Sequence, residues 1–119
     1  MAREIVLNII PLEPFPEQEI KGSIEINYDG RFDSVVINSQ IENSNDIFTY
    51  PVLNGKKINY PYARLSIFKK DIGDTKLLNF TAQSKHVPDS KSSQAKFRVS
   101  LIQEHKEIFS DIKYIKIRK

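Results

Sequence analysis

The sequence predicts an all-β protein, an antiparallel sandwich of about eight short strands, and two observations lead to this prediction. First, 17 Ile, 6 Val, 3 Thr and 12 aromatic residues stand against 11 Leu and Ala residues. β-Branched and aromatic side chains lose rotamer freedom in a helix but pack well on a pleated sheet. Second, apolar and polar residues alternate in short runs separated by turn residues at a spacing of about 8–12 residues, which is typical of sandwiches and barrels.

The first predicted strand covers residues 4–10 and has apolar residues on both faces. We expect a strand of this kind to be buried between two layers. Three prolines, Pro11, Pro14 and Pro16, follow it. Because proline fixes φ and disfavours helix in the residue before it, this stretch is predicted to be an extended connection.

The next two predicted strands, residues 20–28 and 32–42, flank the pair Asp29-Gly30. In the first of them the even positions are apolar apart from Gly22 and the odd positions are polar, a period of two. Asp-Gly between two alternating runs favours a tight turn with positive φ. The sequence therefore predicts that these strands form a hairpin.

A second hairpin is predicted for residues 47–53 and 56–60, around Asn54-Gly55. Pro51 lacks an amide donor, so the strand containing it is predicted to be short or at a sheet edge. We expect the most accessible edge along residues 47–60, although Pro51 and the lysines can also protect such an edge.

The chain then continues through a predicted strand at residues 62–70 and a loop at residues 71–74. Residues 76–83 are predicted to pair back on that strand, and residues 86–93 to form a polar loop. The last two strands, residues 94–103 and 107–118, are separated by a turn at residues 104–106. The apolar phase changes between Ile112/Tyr114 and Ile115/Ile117, which predicts a bulge there.

Length and composition limit the class of protein. The 119 residues are expected to form one β-sandwich domain, residues 1–119. The sequence contains no apolar run long enough for a membrane span and no cysteine. The N-terminal residues lack the apolar stretch of a signal peptide, so we expect a cytoplasmic protein.

Charge is unevenly distributed along the chain. Residues 1–55 hold 3 basic and 9 acidic residues, whereas residues 56–119 hold 15 basic and 6 acidic residues. The favoured explanation of this asymmetry is that strands from the two halves pair in the fold, so that the acidic charge of one half neutralises the basic charge of the other. The alternative is a bipolar molecule that presents one face to an acidic partner or associates head to tail.

The densest basic stretch, residues 56–70, has no acidic residue and contains interleaved aromatic residues. The candidate interaction surface consists of Lys56, Lys57, Tyr60, Tyr62, Arg64, Phe68, Lys69 and Lys70. Cations and aromatic rings also bind single-stranded nucleic acids. A structural explanation is favoured over that one, since sheet cores need aromatic residues and lysines protect edge strands.

The sequence offers little chemistry. His86 and His105 lie in predicted loops without further ligands at metal-binding spacing, so neither a metal nor another cofactor is expected. His86, Asp89 and Ser90 include the residue types of a hydrolytic triad, but no nucleophile-elbow pattern surrounds them, and a polar turn is the favoured interpretation. We therefore predict no catalytic residue.

Two stretches resemble arrestin-like and other immunoglobulin-like sandwich domains. One is the proline-rich stretch from Pro14 that leads into the glycine-bearing strand Ile20-Lys21-Gly22-Ser23-Ile24. The other is Val87-Pro88-Asp89-Ser90, which leads into the aromatic-containing strand of residues 95–101. The 119 residues are fewer than a usual arrestin domain has, and only one such domain is expected in them. The resemblance implies a non-enzymatic scaffold that binds other proteins.

The sequence thus favours a protein-interaction module that is not an enzyme, with a protein partner and a possible homodimer formed through unpaired strand edges. The alternative function is a nucleic-acid-binding β-barrel that uses residues 56–70. An enzyme ranks third, because it would require a deep pocket with converging polar groups.

Overall fold

The structure is a computed structural model that describes residues 3–119. In this part of the chain it has nine strands and one short helix. Their bounds are β1 Ile5–Ile10, β2 Ile20–Ile26, β3 Ser34–Ile41, β4 Tyr50–Leu53, β5 Lys56–Tyr60, β6 Leu65–Phe68, α1 Lys69–Ile72, β7 Leu77–Ala82, β8 Ser92–Gln103 and β9 Lys106–Arg118.

The strands form two antiparallel sheets that pack face to face. One sheet has the strand order β1-β2-β7-β4-β5 and the other has the order β6-β3-β8-β9. This confirms the predicted all-β sandwich, with nine strands in the described residues rather than about eight. It also shows that the β-barrel of the alternative prediction is wrong, because neither sheet closes on itself.

The core lies between the sheets and follows the predicted alternation. In β2, Ile24 is buried and its neighbour Glu25 is exposed, and in β8 the predicted inward residues Phe97 and Val99 are fully buried. Rings from both sheets meet in this core: Phe80 of β7 and Phe97 of β8 have centroids 6.3 Å apart. The sequence therefore predicted correctly which residues face the interior along these strands.

The Asp29-Gly30 hairpin was predicted wrongly. β2 pairs with β1 on one side and with β7 on the other, so neither of its edges is free for β3. The chain crosses instead to the second sheet, where β3 pairs with β6 and β8. Asp-Gly specifies a local change of direction, whereas sheet membership depends on strands far away in the chain.

The predicted pairing of residues 76–83 with the preceding strand is wrong for the same reason. β6 belongs to one sheet and β7 to the other. The predicted loop at residues 71–74 also differs, since the chain forms the helical turn α1 before Gly73 adopts a positive φ of 62°. By contrast, the Asn54-Gly55 hairpin joins β4 to β5 and the turn at Glu104-His105 joins β8 to β9 as predicted.

Two further expectations are corrected. β1 is an edge strand with one buried face, so Ile10 is exposed rather than enclosed between layers. The bulge of β9 lies at Ile108, where the register with β8 shifts, and not between Ile112/Tyr114 and Ile115/Ile117. Asp111 explains that error, because a buried carboxylate occupies an inward position at which the pattern called for an apolar residue.

Asp111 closes one side of the sandwich, where β1 of one sheet meets β9 of the other. Its Oδ2 accepts a hydrogen bond from the Leu7 backbone N–H at 2.8 Å, and its Oδ1 lies 2.9 Å from Arg3 Nη1. Further along β9, the N–H groups of Lys116 and Arg118 donate to backbone carbonyls of residues 12 and 14. The edge strands at the other ends of the two sheets are β5 and β6.

Candidate functional site

The predicted interaction residues follow the chain along the edge formed by β5, β6 and the segment that joins them. Lys56, Lys57 and Tyr60 lie on β5, Tyr62 and Arg64 lie in the connection at residues 61–64, Phe68 ends β6, and Lys69 and Lys70 begin α1. We call these eight residues the basic–aromatic edge. The structure thus places six of them on two edge strands of different sheets and on the loop between these strands, and the other two at the start of α1.

A row of tyrosines links this edge to the core. Tyr50 is fully buried, Tyr60 is half-buried and Tyr62 is 64% exposed. The ring centroids of Tyr50 and Tyr60 are 6.5 Å apart, and those of Tyr60 and Tyr62 are 5.7 Å apart in an edge-on arrangement. Such aromatic contacts favour particular ring orientations. The exposed ring of Tyr62 is therefore held in place by Tyr60, which itself packs against the buried Tyr50.

The hydroxyl of Tyr50 fixes the connecting loop itself. It donates a hydrogen bond to the backbone carbonyl of Ala63 at 2.6 Å and shares a second bond with the Ser39 hydroxyl at 3.1 Å. Burial raises the pKa of Tyr50 well above its usual range, so the phenol keeps the proton that it donates. The loop carrying Tyr62 and Arg64 is therefore tied directly to the core.

The basic side chains of the edge differ in exposure and in their contacts with the rest of the domain. Lys56, Lys57, Arg64 and Lys70 are exposed. Lys69 is half-buried, with its Nζ 4.9 Å from the Phe32 ring centroid and donating to the Gly73 carbonyl. A cation held over an aromatic ring contributes to the local fold. We therefore assign Lys69 to support of α1, while the four exposed cations can meet a partner.

The backbone of this edge is poorly shaped to accept another strand. Pairing of β5 with β4 is irregular between Tyr50 and Val52, Asn59 has a positive φ of 47°, and Pro61 follows β5. β6 has only four residues. Bulges, prolines, lysines and short length all protect edge strands from pairing. Of the predicted edge at residues 47–60, only β5 is an edge, because β4 lies between β5 and β7.

A second cluster of functional groups surrounds His86, which the sequence placed in a polar loop. The imidazole is buried, with Nδ1 2.7 Å from Asp46 Oδ2 and Nε2 2.9 Å from Ser93 Oγ. The hydrogen bond from His86 lowers the pKa of Asp46. His86 thus contacts Asp46 and Ser93 rather than its sequence neighbours Asp89 and Ser90. No local pattern predicts the Asp46 contact, since forty positions separate the two residues.

Serine, histidine and aspartate in this order resemble a nucleophile, its base and the group that orients the base. A cavity of about 400 Å³ lies beside the cluster, and His86, Asp46 and Gln83 are among its lining residues. Ser93 is not part of that lining. Because a nucleophile must face the space in which the substrate binds, we assign the cluster a structural role: it joins the loop before β4 to the loop before β8.

The described residues contain no group of three histidine, aspartate or glutamate side chains arranged to hold a metal ion. The one helix within residues 3–119, α1, is far too short to cross a membrane.

The fold is an open antiparallel β-sandwich of one five-stranded and one four-stranded sheet. None of the protein-family models and none of the curated proteins compared with the chain matches it. A conjugative transposon lipoprotein from Bacteroides eggerthii has a similar structure, with a TM-score of 0.54 at 9% identity, covering 99% of this chain and 100% of that one.

Two adhesins are also similar in structure. The SafD adhesin of Salmonella has a TM-score of 0.54 at 10% identity, with 98% of both chains covered. The N-terminal domain of a Streptococcus gordonii adhesin has a TM-score of 0.51 at 11% identity, covering 97% of this chain and 32% of that one. At this level of identity the similarity establishes the sandwich fold, and the arrestin-like variant of that fold remains a resemblance in sequence.

Proposed function

We propose that this chain is a non-enzymatic interaction module that binds a protein with an acidic surface through the basic–aromatic edge. The observation that carries the proposal is the exposure of two aromatic rings beside exposed cations: Tyr62 lies on the loop tied to the core by Tyr50, and Phe68 lies at the end of β6. The adhesins of similar fold support the general class. A cytoplasmic location remains a prediction.

The two kinds of side chain have different roles in this proposal. Aromatic and arginine side chains dominate binding energy at protein interfaces, so Tyr62, Phe68 and Arg64 are the expected anchors. Lysines at the rim of an interface mainly accelerate association with an oppositely charged partner. Because the loop is already ordered by Tyr50, binding requires little further loss of conformational freedom.

Self-association is one form of this proposal, in which a second copy supplies the acidic surface. The acidic first half of the sequence and the basic second half support it. Protection of β5 and β6 against strand addition argues that such a dimer forms through side chains rather than through a continuous sheet.

Single-stranded nucleic acid is the second candidate ligand. The exposed rings can stack on bases while Lys56, Lys57 and Arg64 neutralise phosphates, and the exposure of both kinds of side chain along this edge is the observation in its favour. Acidic proteins and nucleic acids differ in their dependence on salt, because displacement of ions condensed on a phosphate chain makes nucleic-acid binding fall steeply as salt rises.

The proposal is tested with the immobilised domain and two matched variants. Tyr62→Ser/Arg64→Glu changes the edge, whereas Tyr114→Ser/Lys96→Glu makes the same kinds of change on the outer face of the four-stranded sheet, on β8 and β9. We expect the first variant to lose proteins that co-purify with the wild type and the second to retain them. Equal retention by both variants would contradict the proposal.

Two companion measurements separate the possible ligands. Light scattering across a range of protein concentrations detects a dimer, which the edge variant should abolish if self-association is the function. Titration with single-stranded RNA at two salt concentrations detects the second candidate. Salt-sensitive RNA binding that depends on Tyr62 and Arg64 would replace the protein partner as the proposed ligand.

A further inference from the structure

The segment at residues 10–16 exposes three large apolar side chains on the opposite side of the sandwich from the basic–aromatic edge. Ile10 is 65% exposed, Leu12 is 54% exposed and Phe15 is 53% exposed. Together they are three of the nine large hydrophobic side chains that are exposed among the described residues. Exposed apolar side chains concentrated in one short segment of a folded domain are a candidate contact surface.

The backbone of this segment is held on both sides. The carbonyls of Leu12 and Pro14 accept hydrogen bonds from the N–H groups of Lys116 and Arg118, at 2.9 Å and 2.8 Å. Beyond Phe15, the N–H of Glu17 donates to the Ser84 carbonyl at 2.9 Å. The exposed apolar side chains therefore stand on an ordered support, and their contact with another surface does not require the segment to fold.

Basic residues lie next to this segment. Lys21 lies opposite Ile10 in the β1–β2 register, the Lys116 backbone bonds to Leu12, and the Arg118 guanidinium is 5.6 Å from the Phe15 ring centroid. Beside Arg118, the N–H of Lys119 donates to the Lys91 carbonyl. The segment and the residues just after it carry three acids, Glu13, Glu17 and Glu19, against the five basic residues Lys21, Lys91, Lys116, Arg118 and Lys119.

We propose that residues 10–16 and the cations around them dock the domain on an anionic lipid surface. Ile10, Leu12 and Phe15 enter the boundary between headgroups and acyl chains, while Lys21, Lys116 and Arg118 meet lipid phosphates. Apolar contact combined with basic residues is the physical requirement for reversible binding to such a surface.

A lipid surface is favoured over a second copy of the chain because of the size of the patch. A stable protein interface buries about 800 Å² on each partner. Three side chains that are each between half and two-thirds exposed supply only a small part of such an area. A bilayer needs no complementary shape and gains from charge as well as from apolar contact, so a small patch is sufficient.

Co-sedimentation with lipid vesicles tests this proposal. We expect the wild type to bind vesicles of phosphatidylcholine containing roughly one-third phosphatidylserine, and to bind phosphatidylcholine alone much more weakly. Leu12→Ser/Phe15→Ser should weaken binding by at least about tenfold, because both side chains lose their apolar contact. Raising the salt from about 0.1 M to about 1 M should also weaken it.

Matched variants distinguish vesicle binding by this patch from nonspecific binding through other exposed apolar side chains and from binding through the basic–aromatic edge. Leu77→Ser/Val87→Ser removes two other exposed apolar side chains, which are 50% and 58% exposed, and should leave vesicle binding unchanged. Lys56→Glu/Lys57→Glu should also retain it. If the Leu12/Phe15 variant fails to fold, Ile10→Ser, at the most exposed of the three positions, provides the same comparison.

Four results would overturn the proposal. The wild type could fail to bind anionic vesicles, it could bind neutral vesicles equally well, or the Leu12/Phe15 variant could bind as the wild type does. The fourth is a dimer in lipid-free solution that this variant abolishes, because the patch would then be an interface between two copies of the chain.

Discussion

The carboxylate of Asp111 on β9 accepts a hydrogen bond from the backbone N–H of Leu7 on β1, 2.8 Å away, and so joins the edges of the two sheets. Its other oxygen accepts from the Ile112 N–H at 3.0 Å and contacts Arg3. A buried carboxylate is stable only when its oxygens are satisfied in this way. The group that closes this side of the sandwich is therefore also the one most sensitive to change there.

Replacing Asp111 tests that conclusion. Asp111→Ala should lower the free energy of unfolding by about 1–3 kcal/mol, because it leaves the buried Leu7 N–H without an acceptor. Urea denaturation measures the loss. Asp111→Asn keeps an acceptor and should lose less, and Arg3→Ala should lose only about 0–1 kcal/mol, because Arg3 is mostly exposed. Equal losses for Asp111→Ala and Arg3→Ala would contradict the assignment.

Gly22 provides a test of packing across β2 and β7. A Cβ at this position would overlap the ring of Phe80, its partner in the β2–β7 register. Gly22→Ala should therefore destabilise the domain by about 1–3 kcal/mol through overpacking. Thermal denaturation measures the effect, and Ser23→Ala on the opposite face is the control. Adding Phe80→Leu should recover part of the loss in Gly22→Ala; no recovery would mean that the strain lies elsewhere.

Tyr50→Phe tests how the basic–aromatic edge is held. Loss of the hydroxyl removes the donor to Ala63 and the partner of Ser39, so stability should fall by about 0.5–1.5 kcal/mol. The exposed Tyr62→Phe should be nearly silent. Hydrogen exchange of the amides at residues 62–64 should accelerate in Tyr50→Phe by more than the global change explains. Unchanged local exchange would show that the loop is ordered by other contacts.

The lowered pKa of Asp46 leads us to expect that the stability of the folded domain depends on pH. The hydrogen bond from His86 depresses the pKa of Asp46 in the folded state. A depressed carboxyl pKa contributes stability above the unfolded value of about 4, and this contribution disappears as pH falls through the folded value. Asp46→Asn should therefore melt at a lower temperature than the wild type at neutral pH, and the difference should shrink below about pH 4.

Glu107 is the matched comparison for this experiment, because its hydrogen bond with Arg98 lowers its pKa as well. Glu107→Gln should reduce the acid dependence of the melting temperature in the same direction. A constant difference between Asp46→Asn and the wild type across the whole pH range would mean that the ionised form of Asp46 contributes nothing specific.

Most features that depend on residues close in sequence were predicted correctly, whereas most features that depend on residues distant in sequence were not. The inward and outward positions of β2 were predictable because burying Ile24 is favourable and burying Glu25 is costly. The alternation of such residues can be read directly from the sequence of one strand. Asn54-Gly55 was predictable because a turn between paired strands is also local. Asp29-Gly30 has similar turn chemistry but joins strands of different sheets, since β1 and β7 occupy both edges of β2.

The candidate sites show the same division. The residues of the basic–aromatic edge are close in sequence, so their proximity could be anticipated, but their division between edge strands of two different sheets could not. Support of that edge by Tyr50 and the contact of His86 with Asp46 could not, because each depends on how separate loops pack. Asp111 even misled the strand phase, because a carboxylate at an inward position is stable only once Leu7 lies beside it.

The pairing of β8 with β9 carries a consequence for the order of assembly. These strands, of 12 and 13 residues, are the longest in the described chain, and only a two-residue turn separates them. Closing so short a loop loses little entropy, whereas β2 and β7 must meet across about half of the sequence. We expect this ribbon to form early and to give β3 a surface on which to align, while the five-stranded sheet sets the overall rate.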